Sequence, residues 1–309
     1  MTPAPPAPVA LPDLRGRTAL ITGASDGVGV EIARGLAAAG ADLVLPVRSR
    51  PKGERAVAQL RASAPGGRIE LRDLDLARLD SVAALAADLA SERAPLDIVV
   101  LNAGIVLLGD RRRRESADGF ELHFQTNFLG HFALTTALLP LLRARAARVV
   151  VQLSLAAGAA RVAWGDLQSE RRYAPLRAYA ASKVALGLFG YELARRTSGD
   201  HGPLTVHLSH PGIVPGTGIA PALRERARDG RAAALAERWG NTPAAAAQPA
   251  LLAAVTDAAP PCFFGPAGPF HLGGPAASQR PYRRLADPIA GSRLWTVAEG
   301  LLTGRAPAS

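Results

Sequence analysis

All but two of the 36 basic residues in this 309-residue chain are arginine; the exceptions are Lys52 and Lys183. Lys183 closes the run Tyr179-Ala180-Ala181-Ser182-Lys183. A lysine kept in so arginine-rich a sequence marks a place where a compact, releasable charge is needed, which a guanidinium cannot supply. On a helix, residues four apart share one face about 6 Å apart along the axis, so both side chains would enter the same space. There an ammonium beside a phenol favours the phenolate and brings a group of pKa about 10 toward proton exchange near neutrality. The same spacing occurs on plain surface helices, so the pair takes its meaning from what surrounds it.

The first element that could position such a pair lies near the amino terminus. Arg17 to Thr22 form a short apolar and β-branched run, followed by Gly23-Ala24-Ser25-Asp26-Gly27-Val28-Gly29, and then Val28, Ile32, Leu36 and Ala39 recur at helical spacing. Strand, glycine turn and helix together form a dinucleotide cradle: glycines let the backbone approach a pyrophosphate, and the helix N-terminus offers it free N–H groups. Read blandly, the glycines make only a tight turn. The second strand ends in Val47-Arg48-Ser49-Arg50 with no acid to bond an adenosine ribose. Arginine there favours a 2′-phosphate, hence NADP(H) ahead of NAD(H). Against this, Arg48 and Arg50 are also read as ordinary loop charges, and Asp26 does not favour a phosphate.

Further along, strand and helix patterns alternate. Strands are expected near 17–22, 42–47, 68–73, 97–101, 148–153, 205–209 and 262–264, with helices between them that include 79–91, 118–142 and 175–196. Such alternation implies an α/β fold with a mostly parallel sheet covered on both faces. With 48% hydrophobic residues the chain can fill one large core, and a single domain over 14–309 is expected, preceded by a disordered Pro/Ala-rich tail at 1–13. Residues 213–247 read as an insertion that could close over a substrate.

Cys262 is the one cysteine, so no intrachain disulfide can form, and with no signal-like or membrane-spanning run a soluble, cytoplasmic protein is expected. A net charge of +10 raises a different class, binding to nucleic acid or an anionic surface. The clearest basic run, Arg111 to Arg114, has no interleaved aromatics for base stacking and reads as a solvated loop, so no nucleic-acid or membrane partner is expected. The histidines show no metal-ligand spacing; His123 and His131, two helical turns apart without a partnering acid, read as structural, and no metal is expected.

Taken together, Thr22-Gly23-x-x-x-Gly27-x-Gly29, Asn102-Ala103-Gly104, Asn127, Ser154, Tyr179-x-x-x-Lys183 and Pro211-Gly212 resemble the motifs of the short-chain dehydrogenase/reductases, in order and over roughly two hundred residues. The stretches 120–132 and 166–173 resemble the retinol dehydrogenase and protochlorophyllide reductase branch, and the arginine and alanine usage resembles actinobacterial members. The resemblance implies a doubly wound Rossmann-type sheet of seven strands in the order 3-2-1-4-5-6-7, with the cofactor across the carboxyl ends of the strands. It also implies an enzyme that moves hydride between nicotinamide and a carbonyl or alcohol. In that scheme Tyr179 is the general acid/base and Lys183 bonds the nicotinamide ribose and lowers the phenol pKa. Ser154 holds the substrate oxygen, and Asn127 anchors a water-linked proton relay. Ser154 and Asn127 also admit a strand-end cap and a helix kink. The cofactor would further meet Gly23, Ser25, Asp26, Gly27, Val28 and Gly29 in the turn and Arg48 after the second strand. Asp75 and Leu76, the run Asn102-Ala103-Gly104, and Pro211, Gly212, Val214 and Thr217 complete that set. Asp75 is read equally as a helix cap. Paired helices bearing Asn127 and Tyr179 imply a homodimer or homotetramer.

Two departures from the family pattern stand out. The usual Asn-Asn-Ala-Gly is Leu101-Asn102-Ala103-Gly104, and Thr217 follows Pro211-Gly212 one residue late. The long segment between Ser154 and Tyr179 must loop out, with Trp164 at its middle. Val106, Leu107, Leu155, Trp164 and Ile213 offer an apolar wall beside Ser154 and Tyr179, suited to a lipophilic ketone, aldehyde or secondary alcohol. The alternatives are a non-catalytic nucleotide-binding regulator of the same fold and a basic nucleic-acid-binding protein.

Overall fold

The computed structural model of the chain describes residues 7–64, 66–109, 111–199, 204–215 and 239–304. The strands are β1 (Thr18–Ile21), β2 (Asp42–Val47), β3 (Ile69–Asp73), β4 (Ile98–Leu101), β5 (Arg148–Gln152), β6 (Thr205–Ser209) and β7 (Phe263–Pro266). An eighth, β8 (Ala276–Gln279), was not expected. They form one sheet in the order 3-2-1-4-5-6-7-8, parallel throughout except that β8 runs antiparallel to β7. The expected order of the first seven therefore holds, with one edge strand added.

The central strands read as continuous apolar runs because helices cover both faces of the sheet: every residue of β4 is buried. Pro46 sits inside β2, where a missing donor is ordinarily costly. Leu43 donates to the Arg68 carbonyl, so by alternation residue 46 faces β1, and the β1 ladder stops at the Leu20–Val44 pair. Pro46 thus forgoes no ladder bond, and it borders the gap where β1 turns into its glycines.

On one face lie α1 (Gly27–Ala38), α2 (Arg50–Ser63) and α7 (Pro243–Val255). Residues 243–247, the end of the expected insertion, form the first turn of α7, and Ala246 and Ala247 are fully buried. The other face carries α3 (Leu79–Ser91), the short α4 (Leu122–Phe124), α5 (Gly130–Ala144), α6 (Pro175–Thr197) and α8 (Pro288–Thr303). Aromatics fill that layer, with the Phe132 ring centroid 5.4 Å from Phe189 and 5.0 Å from Trp295 of α8.

The helix expected over 118–142 is interrupted. Between α4 and α5 the residues Gln125–Leu129 form a π turn, closed by the Gly130 N–H on the Gln125 carbonyl. Such turns open a helix locally and are common at functional sites. This one carries Asn127.

Candidate active site

The site begins where β1 ends. Gly23 has φ +70°, and a Cβ there would lie 2.8 Å from the Ala103 Cα. A Cβ on Gly29 would stand 2.3 Å from the Gly23 carbonyl oxygen and 2.6 Å from Asn102 Nδ2. Three backbone segments, the turn, α1 and the loop after β4, are therefore packed without room for a side chain. Asp26 caps α1, its Oδ1 accepting from the Gly27 N–H at 2.7 Å. The carboxylate thereby takes one of the donors a phosphate could use. Val28 turns its side chain into the core.

Beside this turn a cleft of about 420 Å³ is lined by Ser25, Asp26 and Gly27 together with Arg34, Lys52 and Arg55. Lys52 had no role assigned from sequence, although its rarity was the signal. Arg48 stands exposed at the end of β2, and Arg50 pairs with Asp73 at 3.2 Å. Asp75 accepts from the Ala77 N–H at 3.0 Å while its own N–H donates to Ser81 Oγ at 2.9 Å, so it tightens the turn before α3 as a cap would. Leu76 is buried, its carbonyl against Gly130.

The loop after β4 runs from this turn toward Tyr179. Thr22 Oγ1 accepts from the backbone N–H groups of Asn102 and Ala103, both at 3.0 Å. Asn102 Nδ2 donates to the Thr22 carbonyl at 3.0 Å and so steadies the loop. Asn127 binds the same loop twice, its Oδ1 accepting from Ile105 N at 2.8 Å and its Nδ2 donating to Ile105 O at 3.1 Å. Its Nδ2 also donates to Ser182 Oγ at 2.9 Å, tying the loop to α6. With both ends of its amide engaged, the Asn127 side chain acts here as a brace.

Two buried histidines flank Asn127. His131 Nδ1 lies 3.1 Å from the Asn127 carbonyl and its Nε2 lies 3.0 Å from Thr22 Oγ1. Burial pushes the pKa of His131 down to about 3, so the ring is neutral. A carbonyl can only accept, which puts the proton on Nδ1 and makes Nε2 the nearer acceptor for the Thr22 hydroxyl, whose other acceptor is the Val100 carbonyl at 3.3 Å. His123 accepts from Leu107 N at 3.0 Å through Nε2, and its Nδ1 meets Glu121 Oε1 at 2.7 Å. It therefore has the acid partner that the sequence did not reveal: Glu121 sits two residues earlier, and the short α4 turn brings it round. The His123 ring also packs edge-on to Tyr179, centroids 6.2 Å apart.

Ser154, in extended conformation at the end of β5, hydrogen-bonds the Tyr179 side chain; its Oγ also accepts from Ala156 N at 3.3 Å. Lys183 is 4% exposed and donates from Nζ to the Gln152 carbonyl at 3.1 Å. Its Nζ and Asn127 Oδ1 each come within 3.2 Å of the point where a Gly104 Cβ would sit. Asn127 and Lys183 thus meet at Gly104, and Ser154 meets Tyr179, one turn before Lys183 on α6. Burial pushes the Tyr179 phenol above its ordinary value, the Ser154 bond draws it back, and burial pushes Lys183 down to about 8. The expected lowering of the phenol by Lys183 is not seen, because both groups have left water and each disfavours its charged form. Gln152, which receives Lys183, was also missed from sequence.

The remaining expected residues are dispersed. Val106 is buried in the loop after β4, and Leu155 is half-buried beside Ser154. Ile213 follows β6, its N–H on Leu272 O at 2.8 Å and its carbonyl accepting from Asn241 N at 2.8 Å. Asn241 Nδ2 also donates to Pro211 O at 3.2 Å, and Gly212 N donates to His210 Nδ1 at 3.2 Å. Val214 is half-buried against the α1–α7 layer. Thr217 lies outside the described residues. Trp164, expected in the pocket wall, stacks beneath the Arg293 guanidinium of α8 at 4.4 Å. Arg113, expected in a solvated run, is largely buried and donates from Nε to the Gln168 carbonyl at 2.7 Å.

Among the described residues no group of His, Cys, Asp or Glu could hold a metal ion, and no helix is long and apolar enough to cross a membrane. A family model for short chain dehydrogenases matches residues 17–228. A polyprenol dehydrogenase of Mus musculus is 40% identical over 212 residues, 67% of this chain and 62% of the relative. Retinol dehydrogenase 12 of Homo sapiens is 40% identical over 202 residues, 65% of this chain and 62% of the relative. The chain thus spans less than two thirds of the length of these curated relatives. Among solved structures, an uncharacterized protein of Mycobacterium paratuberculosis superposes with a TM-score of 0.76 at 33% identity, covering 95% of this chain and 96% of the other. A Pseudomonas aeruginosa RhlG/NADP active-site complex gives a TM-score of 0.65 at 30% identity over 84% of this chain and 98% of that one.

Proposed function

Because the chain belongs to the short-chain dehydrogenase family, an oxidoreductase family, we propose that it transfers hydride between NADP(H) and a lipophilic ketone, aldehyde or secondary alcohol, with Tyr179 exchanging the proton. The observation that supports this reading is that Asn127 and Lys183 meet at Gly104 while Ser154 meets Tyr179 on the same helix as Lys183, one loop away from the Gly23 turn.

The residues present fit a dinucleotide. The backbone cradle of Gly23, Gly27 and Gly29 would take the pyrophosphate, with Ser25 at the helix N-terminus. Asn102, Ala103 and Gly104 would lie beneath the nicotinamide, and Pro211, Gly212 and Val214 beside it. Arg48 and Lys52 would meet a 2′-phosphate, the latter from the cleft it shares with Ser25. The NADP complex of the Pseudomonas relative supports the same choice. The nicotinamide, when bound, supplies or accepts the hydride.

Every other step falls to the chain. Ser154 donates to the substrate oxygen and orients it toward the phenol. Tyr179 gives that oxygen its proton in the reductive direction and takes it back in the oxidative one. Lys183, still an ammonium below about pH 8, holds the nicotinamide ribose.

The test is oxidation of NADPH and of NADH by the purified protein over a panel of aliphatic, aromatic and isoprenoid carbonyls. NADPH oxidation with at least one lipophilic member, and weaker use of NADH, is expected. NADPH binding without turnover of any member would favour a non-catalytic nucleotide-binding protein.

A further inference from the structure

The loop after β4 carries the groups expected to meet both cofactor and substrate, and side chains from the segment running from α4 through the π turn into α5 reach along it, one of them through Thr22. Three alternate backbone N–H groups of that loop, those of Ala103, Ile105 and Leu107, are each accepted by a side chain. Ala103 donates to Thr22 Oγ1, which His131 holds in turn; Ile105 donates to Asn127 Oδ1; Leu107 donates to His123 Nε2. The helical residues 131, 127 and 123 are four apart and run opposite to the loop residues 103, 105 and 107, which are two apart. The three hydrogen bonds themselves keep the two repeats in step, with the π turn at Gln125–Leu129 carrying the middle rung.

We propose that the segment His123–Asn127–His131 is a ruler that fixes the register of the loop, with His131 a positioning residue for the cofactor end and His123 a positioning residue for the substrate end. His131 acts through Thr22 on Asn102 and Ala103. His123 acts through Leu107, and its ring abuts the Tyr179 phenol. Glu121 locks the outer rung, one carboxylate oxygen on His123 Nδ1 and the other accepting from Phe124 N at 2.7 Å. Each histidine must present an unprotonated Nε2 to its donor, a requirement that glutamine Oε1 can meet and phenylalanine cannot. The assignment of the two ends rests on the oxidoreductase reading; the ruler itself does not.

The experiment measures amide hydrogen exchange at single-residue resolution over 102–108 in the full chain, alongside NADPH affinity and carbonyl KM. His131→Phe should speed exchange at Asn102 and Ala103 and weaken NADPH roughly tenfold, because the Thr22 hydroxyl then keeps only its longer contact to the Val100 carbonyl, at 3.3 Å, while Leu107 stays protected. His123→Phe should do the reverse, freeing Leu107 and raising the carbonyl KM with NADPH affinity kept. His131→Gln and His123→Gln should stay within about threefold of the parent, since the acceptor is restored. If a phenylalanine variant does not fold, Thr22→Val removes the hydroxyl of the same inner rung and should free Asn102 and Ala103 alike. Uniform loosening of the loop by either variant, no loosening by both, or glutamine variants as impaired as phenylalanine ones overturns the proposal. A parent protein that reduces no carbonyl would end the oxidoreductase reading and leave the exchange pattern to decide the ruler.

Discussion

The amino and carboxyl edges of the sheet handle polar groups in opposite ways. At the amino edge, charge meets charge near solvent: Asp97 accepts from Thr18 N at 2.9 Å, Arg17 Nη1 at 3.0 Å and Arg145 Nη2 at 2.8 Å. Both arginines stay substantially exposed while the Asp97 carboxylate they share is buried, so ion pairing there seals the start of the central strands with its cations still in solvent. At the carboxyl edge the polar groups are buried and largely neutral, among them Thr22, Asn127, His131, Gln152, Ser209 and His210. Lys183 is buried there against a carbonyl in place of a carboxylate. An exposed guanidinium can shift about its carboxylate, whereas buried neutral hydrogen bonds fix both partners, because each unmade bond is costly. Reaction chemistry belongs at the second kind of edge.

That contrast breaks most readily in acid. Burial pushes His131 down to about 3 and His207 and His210 down to about 4, against an ordinary value of 6.5. The unfolded chain takes up protons at these sites as pH falls through 6.5 and the folded chain does not, so the stability they contribute is full above 6.5 and is lost toward pH 4. His131 alone should cost on the order of 3 kcal/mol at pH 4. Thermal unfolding from pH 7 to pH 4 should show a steep fall in Tm; a flat profile would mean that these rings are not buried in neutral form. Asp97→Ala probes the other edge, leaving Thr18 N and two arginines without their acceptor, and should cost about 2–3 kcal/mol with turnover per folded molecule unchanged. Loss of turnover in that variant, measured beside its denaturation midpoint, would show that the edges are not separable. The smallest effect is expected from Lys52→Ala: roughly tenfold weaker NADPH, about 1.4 kcal/mol, with NADH untouched. Fluorescence titration with each nucleotide checks it, and equal weakening of both would remove Lys52 from the 2′-phosphate.

The sequence made the carboxyl edge legible as a set of motifs and left its wiring hidden. Strands β1 to β7 stand out because a covered parallel sheet needs unbroken apolar runs. β8 escaped notice because Ala276 to Gln279 is an edge segment with little burial and no alternation. The π turn could not be read from a 3.6-residue period, yet it brings Asn127 to Ile105. His123 looked partnerless because an acid two residues away does not share its face on a regular helix; the α4 turn and the extended Glu121 make the contact. Arg113 was misplaced because a loop's composition does not give its path.

Kinetics of Tyr179→Phe test the central claim most directly. The substitution keeps the ring against His123 and removes only the hydroxyl that Ser154 bonds. Carbonyl reduction should fall by about a thousandfold, the range of a lost general acid, while NADPH affinity and Tm stay at parental values. A variant that reduces its carbonyl at the parental rate would contradict proton transfer by Tyr179.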